Sequence, residues 1–249
     1  MSRKVADSLF NAQPSFTIYK DNYFITGTSL SEKPDKYNSD IKYQISFQQL
    51  LTKSLLPFHT YLFLTYTQLA FWDVYRSSSP FAEINFNPAL GLAKRLYKND
   101  KLMGIATMML EHESNGRDST NSRSWNRISF SFQGPIFNKA ILTVKGWIPF
   151  AYKDDNPDLL QYEGYGEASL LYSFIPKKFL MDVTFRKGAA WDWRGSAQTQ
   201  VYYRFFKSDN EYLMLQWFQG YGESLISYKN KVSMLRIGII IKPNYSSLF

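Results

Sequence analysis

The 249-residue chain has no cysteine. That excludes disulfides, a thiolate nucleophile and cysteine-based zinc sites, and it leaves the compartment open. The chain also lacks an apolar run of the ~18 residues that a membrane-spanning helix needs. Its apolar runs are short, and the one from Leu235 to Ile241 is interrupted by Arg236 and Gly238. The opening stretch, MSRKVADSLFNAQPSF, has two basic residues and no apolar core, so it does not read as a complete signal peptide. Basic clusters are lacking too. The formal net charge is +8, but the lysines and arginines are scattered, which sets nucleic acid aside as a partner.

What the chain does have is apolar residues interleaved with polar ones. Hydrophobic residues make up 45% and aromatics 18%, yet the mean hydropathy is −0.32. Successive strand side chains point to opposite faces, so alternation with a period of two is the signature to look for. From Leu102 the even positions are Leu102, Gly104, Ala106, Met108 and Leu110, all apolar. The odd positions are mixed and end in Glu111 and Glu113. Similar alternation starts at Ile41, Glu83, Ile128, Met181 and Ala197, and more weakly at Leu235. Further strands fit residues 22–28, 61–72, 139–148, 162–174 and 211–221, for a total of about twelve.

Alternating strands can put the apolar face inside, as in a soluble sandwich or barrel, or outside against lipid, as in a membrane barrel. Large hydrogen-bonding polar faces favour the membrane form. So do aromatics at strand ends, namely Tyr61, Trp72, Trp125, Trp147, Trp191, Trp193 and Trp217, placed where interfacial girdles would need them. The chain ends in Phe249, after NYSSL, which resembles the sorting signal of bacterial outer-membrane proteins. The fold expected is therefore all-β: a single-domain, transmembrane antiparallel β-barrel of twelve strands spanning 22–249, preceded by an N-terminal periplasmic segment, 1–21.

The segment EHESNGRDSTNSRSWN, Glu111 to Asn126, is the most polar stretch near a strand end and holds one of only two histidines. His112 and Ser114 continue the apolar face of Leu102 to Leu110. Asn126 shares the parity of Ile128 and Phe130 on the next strand. All are expected to face lipid. Same-face neighbours stand roughly 7 Å apart, within reach of a serine–histidine hydrogen bond if the side chains lean together. Glu111 and Glu113 fall on the other face, which argues against a metal cluster with His112. By residue type alone, the set fits a polar rim as well as it fits a catalytic group; outward polar groups against lipid are costly and weigh toward function.

HESNGRDSTNSRSWNR closely resembles the active-site segment of the outer-membrane phospholipase A family. SSPFAEINFNPAL (Ser78 to Leu90) and QGYGESLISY (Gln219 to Tyr228) resemble other segments of that family, in the same order. The resemblance implies calcium-dependent hydrolysis of phospholipid acyl esters, as phospholipase A1/A2 and lysophospholipase. It implies that Ser114 is the nucleophile, His112 the general base and Asn126 the residue that orients the imidazole. An amide can fix the tautomer without placing an anion on a lipid-facing surface. The resemblance also implies a Ca2+ ion held by the Ser122 side chain, the Arg117 backbone carbonyl and Ser78 of the partner subunit, near an oxyanion region at Gly116. Three neutral oxygens and no carboxylate predict a weak site. Asp118 has no place in that pattern and reads as a solvated loop charge.

Gln68, in TYTQLAFW, matches a family glutamine that hydrogen-bonds across a dimer, although the mixed parity of this strand leaves a lumen position open. YGES is expected to be a turn rather than a second site. The implied picture is an outer-membrane homodimer whose active site faces the outer leaflet. Its substrate is membrane phospholipid, and its fifth strand runs outward to end at His112 and Ser114. The competing reading is a non-enzymatic barrel, such as a small channel or adhesion scaffold.

Overall fold

A computed structural model describes residues 1–53, 56–205, 207–208 and 210–243. Phe249 therefore lies outside the described residues. After helix α1 (Arg3–Ala12) come strands β1 (Phe16–Ile18), β2 (Asn22–Ser29), β3 (Ser39–Leu50), β4 (Tyr61–Trp72), β5 (Phe81–Lys98), β6 (Lys101–Ser114), β7 (Ser124–Phe137), β8 (Ala140–Phe150), β9 (Gly166–Ile175), β10 (Phe179–Lys187), β11 (Gly195–Tyr203), β12 (Glu211–Gly220) and β13 (Val232–Ile241). Strands β2 to β13 each pair antiparallel with their chain neighbours, and β13 pairs with β2, which closes a twelve-stranded barrel. β1 continues the same edge of β3 that β2 occupies, through Phe16 opposite Gln49, so the sheet begins ahead of residue 22.

The faces follow the parity of the sequence. Leu110, Ile128, Phe130, Ile148, Ile237 and Ile239 are exposed large hydrophobics on the outer wall. The polar partners point inward and are buried: Lys42, Glu111, Arg127, Ser129 and Arg236 among them. They are paired with one another. Lys42 Nζ donates to Gln216 and Glu223, both at 3.0 Å. Arg236 joins Asp40 at 2.7 Å and Glu223 at 2.5 Å. A lumen filled this way satisfies polar groups that could not face hydrocarbon.

The two ends differ. Mostly short turns, such as that at Asn99 and Asp100, mark one end. Helix α1 packs there: Arg3 N–H donates to Asp100 O at 2.8 Å, and Arg95 reaches Ala6 O at 3.1 Å. The long connections 73–80, 115–123, 151–165 and 221–231 lie at the other end. They close that mouth with a cluster of Trp125, Trp147, Leu159, Leu160, Leu225 and Tyr228.

This cluster corrects part of the girdle expectation. Trp125 and Trp147 are 2% and 6% exposed and face inward. Trp125 shares the parity of Arg127, and Trp147 that of Lys145, so neither meets lipid. Tyr61 also turns inward, against Phe10 of α1 at 4.7 Å. Trp217 does sit on the outer wall, while Trp191 and Trp193 stand bare on the 188–194 loop. A second correction concerns the strand expected from residue 162. Leu160–Glu163 form a short helix, α2, and β9 starts at Gly166. Gly164 ends that helix at φ +63°, with the Lys187 carbonyl so close that no side chain fits.

Candidate active site

The hairpin of β6 and β7 carries the polar segment. Asn115 N–H donates to Arg123 O at 3.0 Å, so the odd residues of β6 turn their amides toward β7. His112 and Asn126, and likewise Ser114 and Ser124, are then directly opposite in non-hydrogen-bonded positions. Side chains approach most closely there, with Cα atoms roughly 4.5 Å apart. His112 Nδ1 and Asn126 Oδ1 are 2.9 Å apart. Because an amide oxygen only accepts, Nδ1 carries the proton and Nε2 has the free lone pair. Ser114 lies two residues along the same face. Among the described residues its hydroxyl has no hydrogen-bond partner within 3.5 Å, leaving it free to turn toward the imidazole.

An open groove of about 640 Å³ runs along the outer wall beside this pair. Leu64, Tyr66, Leu90, Leu110 and Phe150 line it, and His112 and Asn126 border it. It suits an acyl chain more than a polar ligand.

Beneath the hairpin, on the lumen face, Glu111 accepts from Arg127 at 2.9 Å and Ser129, and pairs with Lys145 at 2.7 Å. Glu113 accepts from Arg127 at 2.9 Å and from the Trp125 indole at 3.2 Å. This places both glutamates opposite the outward residues, as parity requires.

The 115–123 loop holds the remaining expected residues. Gly116 has φ +64°, a left-handed conformation natural to glycine, and a Cβ there would press on the Phe86 ring at 3.0 Å. The Arg117 carbonyl and the Ser122 hydroxyl make no hydrogen bond among the described residues. These two neutral oxygens are hard donors of the kind calcium takes, and among the described residues no cluster of three or more His, Cys, Asp or Glu could hold a metal ion. Asp118 is exposed, as a solvated charge would be. Ser78 sits exposed in the 73–80 loop with φ 66°, its hydroxyl likewise without a partner among the described residues. Gln68 is outward: Thr65 and Thr67, of the opposite parity, are buried in the lumen, and Gln68 Oε1 accepts from the Tyr66 hydroxyl at 3.0 Å.

Several organising residues were not foreseen from the sequence. Asn115 is 5% exposed. Its Oδ1 accepts from Arg123 N at 3.0 Å and Arg117 N at 3.3 Å, and its Nδ2 donates to Asn121 O at 2.8 Å. It shapes the whole loop. Asn156 Nδ2 donates to Ser124 O at 2.5 Å, and Ser124 Oγ donates to Asp155 at 2.7 Å, so the 151–165 loop braces β7. Tyr228 and Lys229 clamp Asp158 of the same loop. Burial alone would raise this carboxyl, but these partners hold it below the usual carboxylate range. The residues that follow YGES, Leu225 and Ile226, form a brace as well. Glu83 and Asn85 on β5 accept from Ile226 N and Leu225 N at 3.1 and 3.2 Å, while Glu83 also faces Arg117 at 3.6 Å. These contacts cross the chain, and no local pattern announces them.

A family model described as phospholipase A1 matches residues 8–241. The phospholipase A1 of Escherichia coli strain K12 is 30% identical over 256 residues, covering 95% of this chain and 86% of that one. A Neisseria meningitidis protein named for the same activity is 30% identical over 226 residues, and the present chain spans 58% of its length. Outer membrane phospholipase A from Escherichia coli superposes with a TM-score of 0.81 at 26% identity, covering 93% of this chain and all of that one. A Salmonella typhi outer membrane phospholipase dimer with bound calcium superposes with a TM-score of 0.82 at 25% identity, covering 97% of this chain and 98% of that one. The chain belongs to the phospholipase A1 family, and its barrel has the fold of outer membrane phospholipase A.

Proposed function

We propose that this protein hydrolyses the acyl esters of phospholipids and lysophospholipids from the outer face of its barrel, with Ser114 as nucleophile, His112 as general base and Asn126 as the residue that orients the imidazole. The single observation that carries this reading is the 2.9 Å pair of His112 Nδ1 and Asn126 Oδ1 on a lipid-facing wall, next to Ser114 and above an apolar groove. A buried or membrane-facing polar pair with no lumen contact needs a reason, and chemistry on lipid supplies one.

Ser114 Oγ attacks the ester carbonyl carbon as its proton passes to His112 Nε2. The carbonyl oxygen becomes an oxyanion, for which the Gly116 amide would be the loop donor. The carbon–oxygen bond to the glycerol breaks, and His112 returns the proton to the leaving alcohol. Water then repeats the sequence on the acyl-serine and releases the fatty acid. Asn126 holds the Nδ1–H throughout, supporting the imidazolium less strongly than a carboxylate would.

The Ser122 hydroxyl and the Arg117 carbonyl would hold a calcium ion, joined by Ser78 of the partner subunit. When bound, the ion supplies positive charge toward the developing oxyanion. Long-loop connections on the site side suit the extracellular end, so substrate would enter from the outer leaflet. Gln68, polar on an apolar wall, would bond to a second copy. Activity would then depend on dimerisation.

Ester hydrolysis measured while calcium and protein concentration are varied together tests this. The expected surface rises with both, and Ser114→Ala abolishes it. A flat zero at every concentration would leave a non-enzymatic barrel as the better reading.

A further inference from the structure

The ladder between β5 and β6 is interrupted beside the candidate site. Phe86 pairs with Ser114 and Ala89 with Glu111, so the register is the same on both sides of the gap. Between them, neither Asn87 with Glu113 nor Pro88 with His112 forms a pair. One absent bond accounts for both. Since the odd residues of β6 turn their amides toward β7, the even ones turn theirs toward β5. The His112 carbonyl therefore aims at the backbone nitrogen of residue 88. That residue is proline and has no N–H to give.

A ladder carbonyl left open between two strands would be costly in a wall that borders lipid. It is not left open. The Asn87 side chain, from a position only 9% exposed on the lumen side, donates Nδ2–H to His112 O at 2.7 Å. Pro88 and His112 both border the groove. The proline ring keeps the groove wall apolar next to the imidazole, and the amide of the preceding residue makes good the bond that the ring removes.

We infer that Asn87 is a positioning residue for the general base: its side-chain amide replaces the strand bond missing at Pro88 and fixes the backbone on which the His112 imidazole stands. The imidazole is then held at its ring by Asn126 and at its main chain by Asn87. A drift of that backbone moves Nε2 relative to Ser114, a distance on which proton transfer depends steeply. The inference rests on the reading of His112 as general base.

A double-mutant cycle tests it, with Asn87→Ala, Pro88→Ala and both together assayed as full-length protein in detergent with calcium. In the wild-type background Asn87→Ala lowers kcat roughly tenfold, with KM and calcium dependence little changed. Pro88→Ala returns an N–H opposite the His112 carbonyl, so in that background Asn87→Ala costs less than about twofold. The pH profile of sulfonyl fluoride labelling at Ser114 shifts in Asn87→Ala and recovers in the double variant. Asn87→Ser keeps a polar group in the lumen but is too short to reach, and it gives the same pattern if the alanine variant fails to fold. An equal loss in both backgrounds, or wild-type kcat in Asn87→Ala, overturns the inference. Wild-type protein without Ser114-dependent hydrolysis overturns instead the functional reading beneath it.

Discussion

The two faces of the β6–β7 hairpin are built from the same residues in alternation, yet they solve opposite problems. Inward, Glu111, Glu113, Arg127 and Lys145 form a charged network in which each member has a partner within 2.7 to 2.9 Å. Outward, His112, Ser114 and Asn126 interrupt an apolar wall without any carboxylate, lysine or arginine, and a single side-chain bond of 2.9 Å joins His112 to Asn126. The inner face carries charges because they can pair. The outer face carries none because they could not. The difference teaches that a strand can separate stability from chemistry by parity alone: one slip in register would exchange the two.

Substitutions on each face should separate in the same way. The largest effect on stability is expected from Glu111→Gln, which leaves Arg127 and Lys145 without their shared anion. Breaking a buried pair costs about 3–5 kcal/mol, to be read as a lower denaturation midpoint in detergent. On the outer face, Asn126→Ala removes one hydrogen bond to the imidazole and no charge. It should lower kcat on the order of ten- to a hundred-fold, as for the loss of a positioned hydrogen bond, with an unchanged midpoint. A variant of either kind that moved both quantities together would dissolve the distinction between the faces.

Much of this was legible in the sequence, for a physical reason. Alternation in β3, β5, β6 and β7 reports directly which side chains meet lipid, so the barrel and the outward set of His112, Ser114 and Asn126 could be read from parity. Gln68 was ambiguous because Phe63, Leu69 and Phe71 make the inner face of β4 apolar too; only the burial of Thr65 and Thr67 settles its direction. Trp125 and Trp147 misled because a tryptophan at a strand end can anchor at the interface or plug the mouth, and only their parity with Arg127 and Lys145 separates these. The braces, Asn115, Asn156, Glu83 and Asn87, were hidden. Their partners lie across loops or neighbouring strands, and a hydrogen bond to a distant backbone group leaves no period in the sequence.

The most direct test of a nucleophile on the lipid-facing side of β6 is covalent labelling with a long-chain sulfonyl fluoride, with the modified residue located by mass spectrometry. The reading predicts near-stoichiometric modification of Ser114 that requires calcium and disappears in His112→Ala. Labelling at another serine, or labelling of Ser114 that persists undiminished without His112, would contradict it.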